Sequence, residues 1–182
     1  MIPVTAPEQP ERTVILDGYN RVRSDLRRIL EHASTADLRR KSAGTKWTNE
    51  QLLFHMVFGF MIVAALRNLI RTVTILPPVF GRTLARALNA GTIPFDWVNY
   101  LGSRYAALVF NRQRMAGKFD RVLASLGRHL AAEDQETLER NMAFPTRWDP
   151  FFKETMSLLQ TYQYPINHYD FHREQLSLNN LQ

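Results

Sequence analysis

The fold is decided by residues 47–66, WTNEQLLFHMVFGFMIVAAL, which carry the start and the apolar body of one long helix. Thr48 and Gln51 fit a capping box, in which each side chain accepts a hydrogen bond from an otherwise unpaired backbone N–H. The helix is expected to run to about Thr72, because the pair Pro77-Pro78 stops any continuation. This stretch therefore predicts one long, largely buried helix.

Three further helices are predicted on either side of this stretch. Glu11 to Glu31 carries apolar residues at spacings of three and four, which is the pattern of one buried helical stripe. A third helix is predicted to end near Leu130, with Leu101 and Tyr105 on its buried face. The last helix is expected to begin with Asp149 as the N-cap and a proline next. No strand pattern appears, so the sequence predicts an all-α four-helix bundle.

Residues 74–96 separate the second and third predicted helices and hold three prolines and two glycines. We expect an inserted crossover or lid here, with a short amphipathic piece around Thr83 to Leu88.

The chain has 182 residues and 45% hydrophobic composition, which predicts a single domain over residues 1–182, with residues 1–10 flexible. The absence of cysteine excludes disulfides, thiolate zinc sites and a cysteine nucleophile. A metal would have to be bound by His, Asp or Glu.

The balance of charge is basic, with 23 Lys and Arg against 17 Asp and Glu. Nucleic acid or anionic lipid is electrostatically allowed, but the arginines recur around helices with apolar opposite faces, as in ordinary solvated helices. Nucleic acid is therefore not expected as a partner.

The most apolar run, Leu52 to Leu66, spans roughly 22 Å of helix, short of a ~30 Å hydrocarbon core. With no basic leader or apolar signal core at residues 1–7, we expect a cytoplasmic protein without a transmembrane segment.

The histidines carry the most specific chemical signal. His168 and His172 are four residues apart, which places both on one helical face within reach of one ion, although surface or core histidines share this spacing. His55 lies about two turns into the second predicted helix, among apolar residues. Burying an imidazole there is costly unless it binds a metal or forms a hydrogen bond with a carbonyl. Gln175 lies on the same side of the helix as His168 and His172. Two roles are open: it orients a histidine or a bound water, or it is an ordinary residue on the helix surface.

The segments GTKWTNEQLLFH (44–55) and HYDFHREQL (168–176) together resemble the DinB-like, or YfiT-like, family of four-helix metalloenzymes. In that family a Trp-Ser/Thr start introduces a helix with one metal-binding histidine, and a late His-x-x-x-His-x-x-Gln helix supplies two more. The resemblance implies that His55, His168 and His172 bind a divalent metal, nickel or zinc, with an open coordination position. It also implies that the protein is a homodimer.

Three neutral imidazoles with an open position are typical of a catalytic rather than a structural metal site. We therefore expect a metal-dependent enzyme acting on a small molecule, either a transferase or isomerase that uses a low-molecular-weight thiol, or a hydrolase. The thiol would come from the substrate, since the chain has no cysteine. A non-enzymatic helical binding module for an apolar ligand or a protein partner is the alternative.

Arg112 is the candidate for a substrate contact. It falls within about 20° of Leu101 on a helical wheel, which places a guanidinium on the predicted buried stripe of the third helix. A buried guanidinium needs an anion, and either a carboxylate of the bundle or a substrate carboxylate beside the metal would serve.

Overall fold

The structure, a computed structural model, describes residues 10–179, apart from the side chains of Phe95, Asp96, Val98 and Leu108. The predicted flexible segment lies outside the described residues, except for its last position. Within the described part, the chain forms eight helices and one two-stranded sheet. Their bounds are α1 (Pro10–His32), α2 (Thr35–Arg39), α3 (Asn49–Ile75), α4 (Pro78–Ala90), α5 (Thr92–Val109), α6 (Arg112–Ala132), α7 (Gln135–Glu139), β1 (Asn141–Ala143), β2 (Thr155–Ser157) and α8 (Leu158–Glu174).

Helices α1, α3, α6 and α8 form a four-helix bundle, which confirms the predicted all-α class. Helix α1 packs against α6 and α8, and α3 packs against the same two helices. All four supply large side chains that are completely or almost completely buried, among them Leu26, Phe54, Phe60, Phe119, Tyr162 and Tyr169. Burial of this apolar surface is the main favourable contribution to the stability of the bundle.

The first two bundle helices begin as predicted. The stripe on α1 is buried throughout, from Ile15 to Ile29. Helix α3 has Thr48 as its N-cap, and the capping box with Gln51 is complete. It ends at Ile75, one turn beyond the predicted end. These features depend on local sequence, so periodicity and capping residues were enough to predict them.

The prediction of one continuous third helix is wrong, because the helix is interrupted between α5 and α6. Phe110 leaves the helical region with φ −99° and ψ 58°, and the side chain of Asn111 caps the new helix. Only α6 joins the bundle, whereas α5 packs against α3. Tyr105, expected on the buried face, is 59% exposed, while Ser103 and Ala107 are buried. A single helical wheel drawn across the break therefore assigned the wrong face to α5.

The predicted start of the last helix and the predicted absence of strands are also wrong. Helix α8 begins at Leu158, with Ser157 as the N-cap of a complete capping box. The preceding segment is a hairpin in which Met142 of β1 pairs with Met156 of β2. Asp149 lies in the connecting loop of this hairpin. Each strand has only three residues, which is too short for a period-two pattern to be recognised.

Most of the inserted segment is helical. Helix α4 is longer than the predicted amphipathic piece and packs against α3 and β1. Pro78 occupies its first turn, where proline removes no helical hydrogen bond, and Gly91 lies between it and α5. The insertion thus connects α3 to α5 through a packed helix.

Helix α3 is the one described helix that is long and apolar enough to cross a membrane by length and composition. Half of its most apolar window is buried inside the protein. Helix α3 packs against α5, α6 and α8, so its buried apolar residues form part of the core of the bundle.

Candidate metal centre

The structure brings together the three histidines that the sequence singled out. His55 projects from the second turn of α3, while His168 and His172 lie one turn apart on α8. One ring nitrogen from each histidine lies within 4.8 Å of the other two. The Nε2 atoms of His55 and His168 are 3.2 Å apart. Helix packing between α3 and α8 is thus what assembles this three-histidine cluster.

The donor set fits a divalent metal. A tetrahedral ion with metal–nitrogen bonds of about 2.0–2.1 Å keeps its ligand nitrogens about 3.3 Å apart, close to the 3.2 Å between His55 and His168. Two neutral imidazoles that face each other through Nε2 can share at most one hydrogen, whereas a cation between them uses both lone pairs. Imidazole nitrogen is a good ligand for zinc, nickel, copper and iron. The three histidines are therefore the residues that would hold the ion.

Neighbouring side chains orient two of the rings. The amide oxygen of Gln175 lies 2.6 Å from Nδ1 of His172. With this oxygen accepting, Nδ1 carries the hydrogen and Nε2 is left free as a ligand. Nδ1 of His55 lies 3.3 Å from Oγ of Ser103. The indole of Trp47 stacks on His55 at 4.4 Å between ring centroids, which further restricts that ring.

Asp149 is a member of the site that the sequence analysis missed, having assigned it to a helix cap. Its Oδ2 lies 3.7 Å from Nε2 of His168. The hydroxyl of Tyr164 donates to the same oxygen at 2.7 Å, and the N–H of Phe151 donates to Oδ1 at 2.9 Å. Burial raises the pKa of the Asp149 carboxyl above its ordinary value. The hairpin loop thus adds one anchored carboxyl group to the three histidines.

Burial keeps the imidazoles neutral. Desolvation, with a smaller contribution from His172, lowers the pKa of His55 to about 3. The pKa of His168 is lowered well below its ordinary value, first by burial and then by His55. Burial also lowers the pKa of His172, although Gln175 and Asp149 oppose this shift. Neutral imidazole is the protonation state that binds a metal, so no histidine of the cluster has to lose a proton before it binds an ion at pH 7.

Metal-free protein should lose stability as the pH falls from about 7 to about 5. His55 has a lower pKa folded than unfolded, so the unfolded chain takes up a proton below about pH 6.5 that the folded chain does not. This one group should lower the free energy of unfolding by about 2 kcal/mol over that range. Urea denaturation with a chelator present measures it, and His55→Gln should reduce the pH dependence by about that amount. An unchanged pH dependence in this variant would contradict the buried, neutral state of His55.

Gly59 on α3 gives His168 the space that it occupies. A Cβ at this position would lie 2.9 Å from Nδ1 of His168 and 3.3 Å from its Cε1, so the ring would have to move. Gly59→Ala should therefore weaken metal binding by about tenfold or more, measured by competition with a chelator. Gly117→Ala is the matched control, because a Cβ there meets nothing within 4 Å. Equal affinities in the two variants would show that His168 does not depend on this contact.

Arg112 is held by the protein itself. It is the first residue of α6, where its backbone N–H donates to Glu50 at 3.1 Å. Its guanidinium donates to the carbonyl of Glu31 at 2.9 Å. It therefore does not interrupt a buried stripe, because the wheel that related it to Leu101 crossed the break between α5 and α6. Arg112 is also not among the described residues that line the cavity beside the histidines.

A small cavity of about 50 Å³ adjoins the cluster, and we call it the histidine cavity. Its wall includes His55 and His168, together with Asp149 from the hairpin loop. Trp148 and Phe152 from the same loop cover part of it with aromatic surface. The site therefore combines potential metal ligands, a carboxyl group and room for a small group beside them.

Comparisons with known proteins identify the family. A family model of the DinB superfamily matches residues 19–176, a span that contains the three histidines and Gln175. A comparison with curated proteins found no match, and a comparison with solved structures found none either. Because the matched span covers most of the chain and both histidine-bearing helices, this protein belongs to the DinB superfamily.

Proposed function

We propose that this protein is a metal-dependent enzyme acting on a small molecule, either as a thiol-dependent transferase or isomerase, or as a hydrolase. The observation that carries the proposal is the convergence of His55, His168 and His172 beside a cavity that also exposes Asp149. Nickel or zinc is the proposed metal, as the family resemblance implies, and imidazole nitrogen is a good ligand for both. An open coordination position is the feature that distinguishes such a site from a structural one.

A divalent ion held by His55, His168 and His172 would lower the pKa of a bound water or thiol and would polarise a substrate carbonyl. The residues of the chain provide the surroundings for this chemistry. The hydroxyl of Tyr164 donates to Oδ2 of Asp149 and fixes it, and this oxygen would accept a hydrogen bond from the nucleophile and orient it. Trp148 and Phe152 limit the access of water to the same space.

Asp149→Asn should weaken metal binding by about tenfold, because it removes a negative charge close to the bound cation. The backbone donor of Phe151 can still reach the amide oxygen, so the loop should keep its conformation. Tyr164→Phe is the control, since it retains the carboxylate and should change metal affinity less. Competition with a chelator measures all three proteins. Identical affinities for parent protein and Asp149→Asn would remove Asp149 from the proposed site.

The enzymatic proposal is tested by comparing zinc-loaded and nickel-loaded protein with metal-free protein and His168→Ala. A low-molecular-weight thiol with an electrophilic acceptor reports transfer, and a panel of small esters and amides reports hydrolysis. We expect one of the two reactions to be accelerated only in metal-loaded protein with all three histidines. Stoichiometric metal without acceleration in either assay would instead favour the non-enzymatic binding module.

The proposal includes a homodimer. Large apolar side chains are exposed on the neighbouring helices α4 and α5, among them Val79, Phe80, Ile93 and Trp97. Exposed apolar surface of this kind is typical of protein interfaces. Sedimentation equilibrium tests it, and a monomer at micromolar concentration would favour a different partner for this surface.

A nucleic-acid function receives no support from the arrangement of the arginines. Arg21 pairs with Asp170, Arg27 with Asp120, and both Arg28 and Arg173 pair with Asp25. These pairs neutralise part of the positive charge of α1, as on an ordinary solvated surface. A cytoplasmic location stays a prediction.

A further inference from the structure

A second cavity lies beside the histidine cavity, and we call it the apolar cavity. It has a volume of about 80 Å³ and lies between α3, α4, the β1–β2 hairpin and α8. Ile62, Trp148, Phe152 and Tyr164 line both cavities, so the two spaces adjoin across these side chains. A molecule bound at the histidines would reach the apolar cavity by passing between them.

Among the described residues that line the apolar cavity, no side chain offers a free hydrogen-bond donor. Three of its lining residues carry a hydroxyl or an N–H, and each uses that group within the protein. Thr161 donates to the carbonyl of Ser157 at 2.9 Å, and Trp148 donates to the carbonyl of Leu88 at 2.7 Å. Tyr164 donates to Asp149. The rest of the lining is aliphatic or aromatic, or is methionine or proline. A polar group placed here would lose its hydrogen bonds with water and gain none, whereas an alkyl group would gain contacts.

We propose that the apolar cavity binds the apolar end of the substrate while the polar, reacting end of the same molecule lies at the histidines. This inference rests on the proposed function and specifies its substrate class, which is a small molecule with a short alkyl chain next to the reacting group. A cavity of roughly 150 Å³ in another protein holds a benzene ring, so this smaller space suits a chain of about three or four carbons.

The test uses cobalt-loaded protein and the thiols ethanethiol, propanethiol, butanethiol and hexanethiol, followed through the sulfur-to-cobalt charge-transfer band. Each added methylene should lower the Kd by about fourfold until the apolar cavity is full, and the gain should stop with hexanethiol. A charge-transfer band with a Kd that is independent of chain length would overturn the apolar subsite and leave the proposed metal site intact.

Ala85→Leu fills the cavity from α4, because Ala85 is buried and lines it. This variant should remove the dependence of the Kd on chain length while it still binds cobalt. Ala87→Leu makes the same change at an exposed position of the same helix and should behave as the parent protein. If Ala85→Leu does not fold, Val63→Ala replaces it, because Val63 is buried and lines the cavity, so the variant enlarges it and should shift the strongest binding to a longer chain. Chain-length profiles identical to that of the parent protein in the folded variants would overturn the proposal.

Xenon binding to metal-free protein separates this inference from the proposed function. If no thiol produces a charge-transfer band, the proposed metal chemistry fails. Xenon that binds to the parent protein and to Ala87→Leu but not to Ala85→Leu would still support a binding site in the apolar cavity. Xenon that binds equally to both variants would overturn that site.

Discussion

His168→Ala should purify without the divalent metal that we expect the parent protein to retain. The variant removes one of three nitrogen ligands and leaves two imidazoles, which is too few for a tight site. Loss of a residue that only supports a ligand costs up to about 100-fold in metal affinity, so loss of a ligand itself should cost at least that much. Metal content of untagged protein, followed by competition with a chelator, measures the effect.

His32→Ala is the control for this experiment, because His32 is exposed at the end of α1 and lies outside the cluster. It should retain the full metal content and the affinity of the parent protein. Circular dichroism of metal-free samples shows whether His168→Ala keeps its helices. A folded His168→Ala protein with an unchanged metal content would contradict the three-histidine assignment.

Glu133→Gln should destabilise the fold by about 3–5 kcal/mol. The Glu133 side chain is only 4% exposed and forms ion pairs with Arg67 at 3.2 Å and Arg71 at 3.1 Å. These contacts tie the end of α6 to α3. The substitution leaves the largely buried guanidinium of Arg67 without its anion, and this unpaired charge causes most of the expected loss.

The matched control for this prediction is Glu136→Gln. Glu136 also pairs with an arginine, Arg140, but its side chain is 83% exposed. Exposed pairs of this kind contribute about 0.5 kcal/mol or less. Urea denaturation of the two variants measures both effects. Equal losses of stability would show that the pairs around Glu133 contribute no more than a surface pair.

The parts of the structure that depend on local sequence could be predicted from it. The start of α3 follows from the capping residues Thr48 and Gln51, and the stripe on α1 follows from apolar spacing. His168 and His172 share a face because four residues make about one helical turn. The approach of His55 to them, by contrast, was implied by the resemblance to a family and not by spacing.

Two errors have physical reasons. The backbone of Phe110 is not helical, although the apolar spacing of the sequence continues across it. Asn111, a residue type that favours the N-cap position, is the one local signal for the start of a new helix. Asp149 followed by proline fits a helix start, but strand pairing across the hairpin places it beside His168 instead. Such pairing joins residues distant in sequence, so no local pattern shows where the carboxyl group will lie.

The central claim is that the three histidines bind one divalent ion, and X-ray absorption at the zinc edge tests it most directly. Metal-free protein is titrated with zinc to saturation, and the ligand shell of the bound ion is then measured. The account predicts one ion per chain, with three imidazoles at about 2.0–2.1 Å and an oxygen ligand completing the shell. Less than one tightly bound ion per chain, or a shell that contains fewer than three imidazoles, would contradict it.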